Sequence, residues 1–237
     1  MNRKKIFIIE GNIGAGKSTF LRLIKEKLPV QVVFEPLSRW QNVGEGGNLL
    51  EKFYQDTSRW GYTFQTYAFI TRIIEQQEKA LENPFNAQVL ERSVYSDRYC
   101  FAKNCFEMGT ISKLEWDLYQ QWFQWLVDNY SQKPDGFIYL RTSPEVCYER
   151  LKKRARQEES IIAFNYLKLL NDKHEDWLIG KKDVADYLVK TPVLSLDCNN
   201  EFEDCPEELE KHIKQIQEFI ELTSLITAPT YNCPLTV

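Results

Sequence analysis

Gly11-Asn12-Ile13-Gly14-Ala15-Gly16-Lys17-Ser18, followed by Thr19, is the segment with the clearest chemistry. The spacing G-x-x-x-x-G-K-S is that of a P-loop. Its glycines let successive backbone N–H groups wrap phosphates, its lysine reaches the β- and γ-phosphates, and its serine hydroxyl ligates Mg²⁺. Such a loop works where a strand runs into a helix N-terminus, because the helix end adds N–H donors and a favourable dipole. A glycine-rich turn with a surface lysine is the plain alternative. The expected ligand is a nucleoside triphosphate with Mg²⁺, held by residues 11–19.

Two carboxylates come next. Glu35 closes an apolar run and precedes Pro36, which biases it to extended backbone, and Glu91 closes another such run. In open α/β sheets chemistry gathers beyond the carboxyl ends of the strands. Two acids beside a triphosphate would repel it unless each has a task. One can orient and deprotonate an acceptor hydroxyl, and the other can hold Mg²⁺. The third cluster, Arg150 to Arg156, packs five cations into seven residues. A charge run is most often a solvated face, but phosphoryl transfer places charge on three equatorial oxygens, and arginines on a lid can meet it.

These residues need a scaffold, and the pattern supplies one. Strands are expected at 5–10, 30–35, 88–91, 136–141 and 193–197. Helices are expected at 18–28, 58–82, 96–108, 112–130, from Pro144 onward through the basic run, and at 206–222. Thr142 and Glu145 are spaced as a capping box for the helix at Pro144. Residues 41–50 hold three of the ten glycines and read as a flexible connection; 223–237 read as an irregular tail. Short apolar strands alternating with helices imply a five-stranded parallel sheet flanked by helices, an α/β fold in one domain over 1–237. Within 60–76, Gln65, Ala68, Phe69 and Arg72 share one helix face.

Composition bounds the partners. Thirty Lys+Arg against 34 Asp+Glu give a net charge of −4, with no basic field for nucleic acid or an anionic membrane. The six cysteines include no C-x-x-C pair, and the two histidines have no second ligand at metal spacing, so zinc and disulfide scaffolds are disfavoured. No apolar run near the start is long enough for an export signal or a span, and Arg3, Lys4 and Lys5 alone do not make a transit peptide. A cytoplasmic protein is expected, with the mitochondrion left open.

Read together, five segments resemble the deoxyribonucleoside kinases, closest to the deoxycytidine/deoxyguanosine kinase branch. They are Ile9-Glu10 through the P-loop to Thr19, Glu35-Pro36-Leu37-Ser38-Arg39-Trp40, Phe64-Gln65-Thr66-Tyr67, Glu91 through Tyr99, and Arg154-Ala155-Arg156. The likeness runs in order over about residues 5–222. It implies a P-loop kinase fold with an arginine-rich lid, transfer of a γ-phosphate from ATP to a nucleoside 5′-hydroxyl, and a homodimer built from helices. Glu35 then matches the carboxylate on the 5′-hydroxyl, and Glu91 the residue near Mg²⁺ with Ser18; which of the two takes the proton stays open. Arg92 matches an arginine beside the reacting phosphate. Arg154 and Arg156 match lid arginines, with Arg150 on the phosphates. Tyr54 and Glu159 match groups on the sugar 3′-hydroxyl, and Asn200, Glu201 and Phe202 the contacts to adenine. Trp40, Phe64 and Phe101 would sandwich the nucleobase, with Gln65, Arg72 and Asp97 on its edge. A charged pair at 72 and 97 goes with deoxycytidine and purine deoxynucleosides over thymidine in that family. A fold-keeping scaffold subunit without activity and a nucleoside monophosphate kinase are the alternatives.

Overall fold

The computed structural model describes residues 3–226 except Gly46, Asn83 and Asp204. The chain order is β1 (Lys5–Glu10), α1 (Lys17–Lys27), β2 (Gln31–Val33), α2 (Leu37–Gln41), α3 (Leu49–Gln55), α4 (Thr57–Leu81) and β3 (Ala87–Glu91). It continues through α5 (Val94–Ser96), a π-helical turn (Asp97–Phe101), α6 (Ala102–Glu107), α7 (Lys113–Tyr130), β4 (Gly136–Arg141) and α8 (Pro144–Arg154). After α9 (Phe164–His174) and α10 (Asp186–Val189) come β5 (Val193–Asp197) and α11 (Pro206–Ile226). The five strands form one sheet in the order β2-β3-β1-β4-β5, and every pairing is parallel. This is the α/β architecture expected. Parallel neighbours demand crossovers, and the helices that make them cover both faces.

Each face has its own core. On one side Phe7, Ile9 and Val89 of the sheet pack with Phe20, Leu21 and Ile24 of α1 and Leu151 of α8. On the other, Ile8 and Leu90 meet Phe69 of α4 and Tyr119 and Phe123 of α7. Burying one such large apolar side chain contributes about 1.5–3 kcal/mol, so the central strand is fixed from both faces. Register then sets the chemistry: Ile9 lies beside Glu91, and Glu10 beside Tyr139, so the start of the loop after β1 abuts the end of β3.

Several boundaries differ from expectation for local reasons. β2 stops at Val33, and the Glu35 N–H turns to the Glu91 side chain (3.3 Å) instead of a strand partner, so Glu35 is a loop residue. Residues 41–50 are not a free connection: Val43 and Gly47 exchange backbone hydrogen bonds at 2.7 and 3.1 Å, and Asn48 caps α3 by accepting from Glu51 N. The helix at Pro144 is capped by Ser143, which accepts from Val146 N, and not by Thr142, whose side chain is buried. The basic run is not one continuous helix: α8 ends at Arg154, Ala155 takes a left-handed φ of 50°, and Gln157–Glu159 form a separate 3-10 turn. The last helix runs on to Ile226, taking in the first four residues of the expected tail, and 227–237 lie outside the described residues.

Candidate active site

Residues that follow β1, β2 and β3 converge at the carboxyl ends of the strands around a cavity of about 440 Å³. Gly14 and Gly16 take φ of 81° and 90°, which only glycine adopts freely. A Cβ on Gly14 would lie 2.2 Å from the Cys147 carbonyl oxygen, so the loop also needs glycine for space. Lys17 is buried, and its Nζ donates to the Gly11 (3.1 Å) and Asn12 (2.7 Å) carbonyls. Burial, with Arg92 adding to it, lowers the Lys17 ammonium to about 7. An anion laid on the loop would therefore favour the charged form of this lysine.

Ser18 Oγ donates to Glu91 Oε1 at 2.5 Å. A hydroxyl and a carboxylate at the mouth of the loop form an oxygen donor set suited to a hard cation such as Mg²⁺. Glu35 stands between two guanidinium groups: Arg72 Nη2 lies 2.7 Å and Arg92 Nε 3.2 Å from its Oε1. Burial pulls its carboxyl up, but Arg72, Arg92 and Lys17 outweigh that and hold it below the ordinary carboxylate value. Arg72 is in turn clamped by Asp97, with Nε to Oδ2 at 2.8 Å and Nη2 to Oδ1 at 3.1 Å. The remaining Nη1 atoms of Arg72 and Arg92 are buried with no hydrogen-bond partner among the described residues. Buried donors rarely stay unmatched, so these two call for a bound acceptor.

The cavity has two ends. At one, Trp40, Phe64 and Phe101 line it with Gln65, Arg72 and Asp97. Trp40 is fixed from behind by its Nε1–H to Thr71 Oγ1 bond (2.8 Å), and Phe64 stacks on Phe53 at 4.5 Å. At the other, Phe202 lies against Gly16, and the Arg150 guanidinium donates to the Cys198 and Asn200 carbonyls (both 2.9 Å) while standing 5.5 Å from the Phe202 ring centroid. Between them Arg154 and Arg156 both pair with Glu159, and Tyr54 borders the same space. Burial and the nearby Glu159 push the Tyr54 phenol up, keeping it a neutral donor. Aromatic side chains, a loop for phosphates and several arginines bordering one cavity suit transfer of a phosphoryl group between two nucleoside-bearing ligands.

The family model for deoxynucleoside kinases matches residues 7–221. The chain belongs to the deoxynucleoside kinase family. Similar proteins include deoxycytidine kinase 2 of Gallus gallus, 43% identical over 90% of this chain and 89% of its own length. Deoxycytidine kinase of Homo sapiens is 41% identical over 92% of each chain. Mitochondrial deoxyguanosine kinase of Xenopus laevis is 39% identical over 87% of each. The activity is that of a kinase drawing on a nucleotide phosphate donor.

In this kinase most of the expected site residues border one cavity: Ile13, Gly14, Gly16, Lys17, Ser18, Thr19, Glu35, Trp40, Tyr54, Phe64, Gln65, Arg72, Glu91, Arg92, Asp97, Phe101, Arg150, Arg154, Arg156, Glu159, Glu201 and Phe202. Gly11, Asn12, Ala15 and Asn200 do not border it. Gly11 and Asn12 offer carbonyls to Lys17, and the Asn12 amide turns away to Leu167 O (2.8 Å). Ala15 is fully buried beneath the loop. On the helix face read from 60–76, only Gln65 and Arg72 reach the cavity, since Phe69 packs edge-on against Tyr119 in the core. Lys153, one of the five cations of the basic run, also borders it, as do Arg22, Leu37, Leu50, Phe53 and Glu203, which the sequence reading does not single out. A signal for some existed: Arg22 follows Ser18 by one helical turn, and Leu50, Phe53 and Tyr54 recur at helical spacing.

Proposed function

We propose that the chain transfers the γ-phosphate of ATP, or of another nucleoside triphosphate, to the 5′-hydroxyl of deoxycytidine, deoxyadenosine or deoxyguanosine. The observation that carries this reading is the Arg72–Asp97 clamp, which lines the cavity together with Trp40, Phe64 and Phe101. A deoxycytidine or purine edge meets such a pair with matching donors and acceptors. A thymine methyl would desolvate it without offering a partner. The names of the relatives, deoxycytidine and deoxyguanosine kinases, agree with that chemistry.

Each residue then has a task. The loop amides and Lys17 hold the phosphates, with Arg150 and Phe202 beside the donor and residues 200–202 next to its base. Ser18 and Glu91 would hold Mg²⁺, which would neutralise phosphate charge as the group moves. Glu35 carries both arginine contacts on Oε1, and its other oxygen orients the 5′-hydroxyl and accepts its proton. Arg92, Arg154 and Arg156 meet the charge on the transferring group, while Tyr54 and Glu159 hold the sugar. Equal-concentration competition between deoxycytidine, deoxyadenosine, deoxyguanosine and thymidine tests the selectivity. Thymidine phosphorylated as fast as the others would remove it.

The kinase is also proposed to work as a homodimer. Leu114, Leu118, Trp122 and Trp125 recur on one face of α7 and are all more than a third exposed, an apolar stripe of the kind that marks an interface. Light scattering should give twice the chain mass, and W122S/W125S should halve it. Cys100, Cys105, Cys147, Cys198 and Cys205 are unpaired, which fits a reducing intracellular compartment, the cytoplasm or the mitochondrion. No helix among the described residues is long and apolar enough to cross a membrane.

A further inference from the structure

Glu10 ends β1, is fully buried, and has no task in the scheme above. Burial pushes its carboxyl up to about 7, against the pull of the Ser93 hydrogen bond and the charges of Arg92 and Arg72. A polar group at the centre of a sheet is costly unless it serves a partner. The partner here is Ser93, whose Oγ donates to Glu10 Oε1 at 2.6 Å. The same Oγ accepts from Tyr95 N (3.2 Å) and Ser96 N (3.4 Å), capping α5. With both lone-pair directions of the hydroxyl used, its single proton has one place to go, and Glu10 fixes it.

The residue before Ser93 is Arg92, which has a left-handed φ of 61°. A non-glycine residue holds that conformation only when its surroundings impose it. Here β1 imposes it from both sides. The Ile9 carbonyl accepts from Arg92 N at 2.9 Å, and Glu10 holds Ser93. The turn so fixed points the Arg92 guanidinium at Glu35, with its Cζ 4.6 Å from the Phe101 ring centroid.

We propose that Glu10 is a positioning residue for phosphoryl transfer: through the Ser93 hydroxyl it locks the Glu91-Arg92-Ser93 turn in the geometry that aims Arg92 into the site. This rests on the role given above to Arg92. The bond needs an oxygen acceptor and not a charge, so a glutamine, isosteric with the neutral carboxyl, should replace Glu10 and a leucine should not.

The test is steady-state kinetics of the full chain as wild type, E10Q, E10L, S93A, E10L/S93A and R92A, with unfolding followed in parallel. E10Q should keep kcat within about threefold. E10L and S93A should each lose about tenfold or more in kcat with nucleoside KM changed less than about twofold, the cost of a slightly misplaced catalytic group. The double variant should fall no further than the worse single one, because both break the same bond. Losses that multiply, or an E10Q as impaired as E10L, would overturn the proposal. If E10L does not fold, S93A decides: a wild-type kcat overturns it. An R92A enzyme with wild-type kcat would instead remove the reading of Arg92. An inactive R92A beside fully active S93A and E10L would remove only the role of Glu10.

Discussion

Binding of a triphosphate should draw a proton from solution onto Lys17. In the ligand-free protein its ammonium is buried on its own loop, bonded to two carbonyls and crowded by Arg92, and its pKa is lowered to about 7. At pH 8 only about one lysine in ten is then charged. A triphosphate laid across the loop supplies several negative charges at contact distance, which restores the charged form. Binding at pH 8 should therefore take up about 0.9 proton, while a terminal phosphate with a second pKa near ~6 is already ionised and adds little. Calorimetric titration with ATP in two buffers of different ionisation heat reads this number directly. Lys17→Met should bind more weakly and show none of the uptake. The same shift has a stability consequence. Between about pH 7 and 10.5 the unfolded chain holds a proton at Lys17 that the native chain lacks, so this group makes ligand-free stability rise with pH across that window. Equal proton uptake by wild type and Lys17→Met would refute the reasoning.

Glu35→Gln should lower kcat by roughly 10²–10⁴ while ATP affinity stays within about threefold, as measured by turnover and by titration. Gly14→Ala places a Cβ 2.2 Å from the Cys147 carbonyl oxygen at a φ of 81°, so the loop must shift; ATP affinity should fall about tenfold or more and Tm by about 3–10 °C on a thermal melt. Replacing the clamp as R72M/D97A removes the charged pair beneath the base. The ratio of thymidine to deoxycytidine kcat/KM should rise at least about tenfold, and an unchanged ratio would show that the clamp does not select.

How much of this was legible depended on how local each signal is. The loop at 11–19 stands out because φ, space and phosphate contact all constrain neighbouring residues, and β1 beside it is a continuous apolar run. The sheet followed from the same logic. Glu35 was found by its place before Pro36, yet the end of β2 was misplaced, because the Glu35 N–H is claimed by a side chain 56 residues away in sequence. The walls made by α2 and α3 are legible only in part: Trp40 and Tyr54 follow from the family resemblance, but each helix is seven residues or fewer, so the spacing of Leu50, Phe53 and Tyr54 is too brief to mark a helix by itself. Ser143 was passed over for Thr142 because both are good caps, and only the fold decides which one faces the helix end. The task of Glu10 does not show in the sequence, since its partner Ser93 is brought to it by the pairing of β1 with β3.

The central claim is that one cavity brings a triphosphate and a deoxynucleoside 5′-hydroxyl together in line with Lys17, Glu35 and the arginines. Incubation with γ-labelled ATP, Mg²⁺ and deoxycytidine, followed by separation of the products, tests it most directly. The account predicts label on the 5′-position of the nucleoside monophosphate, formed in step with ADP and lost in Glu35→Gln. ATP consumed without labelled monophosphate, or label on the 3′-oxygen, would contradict it.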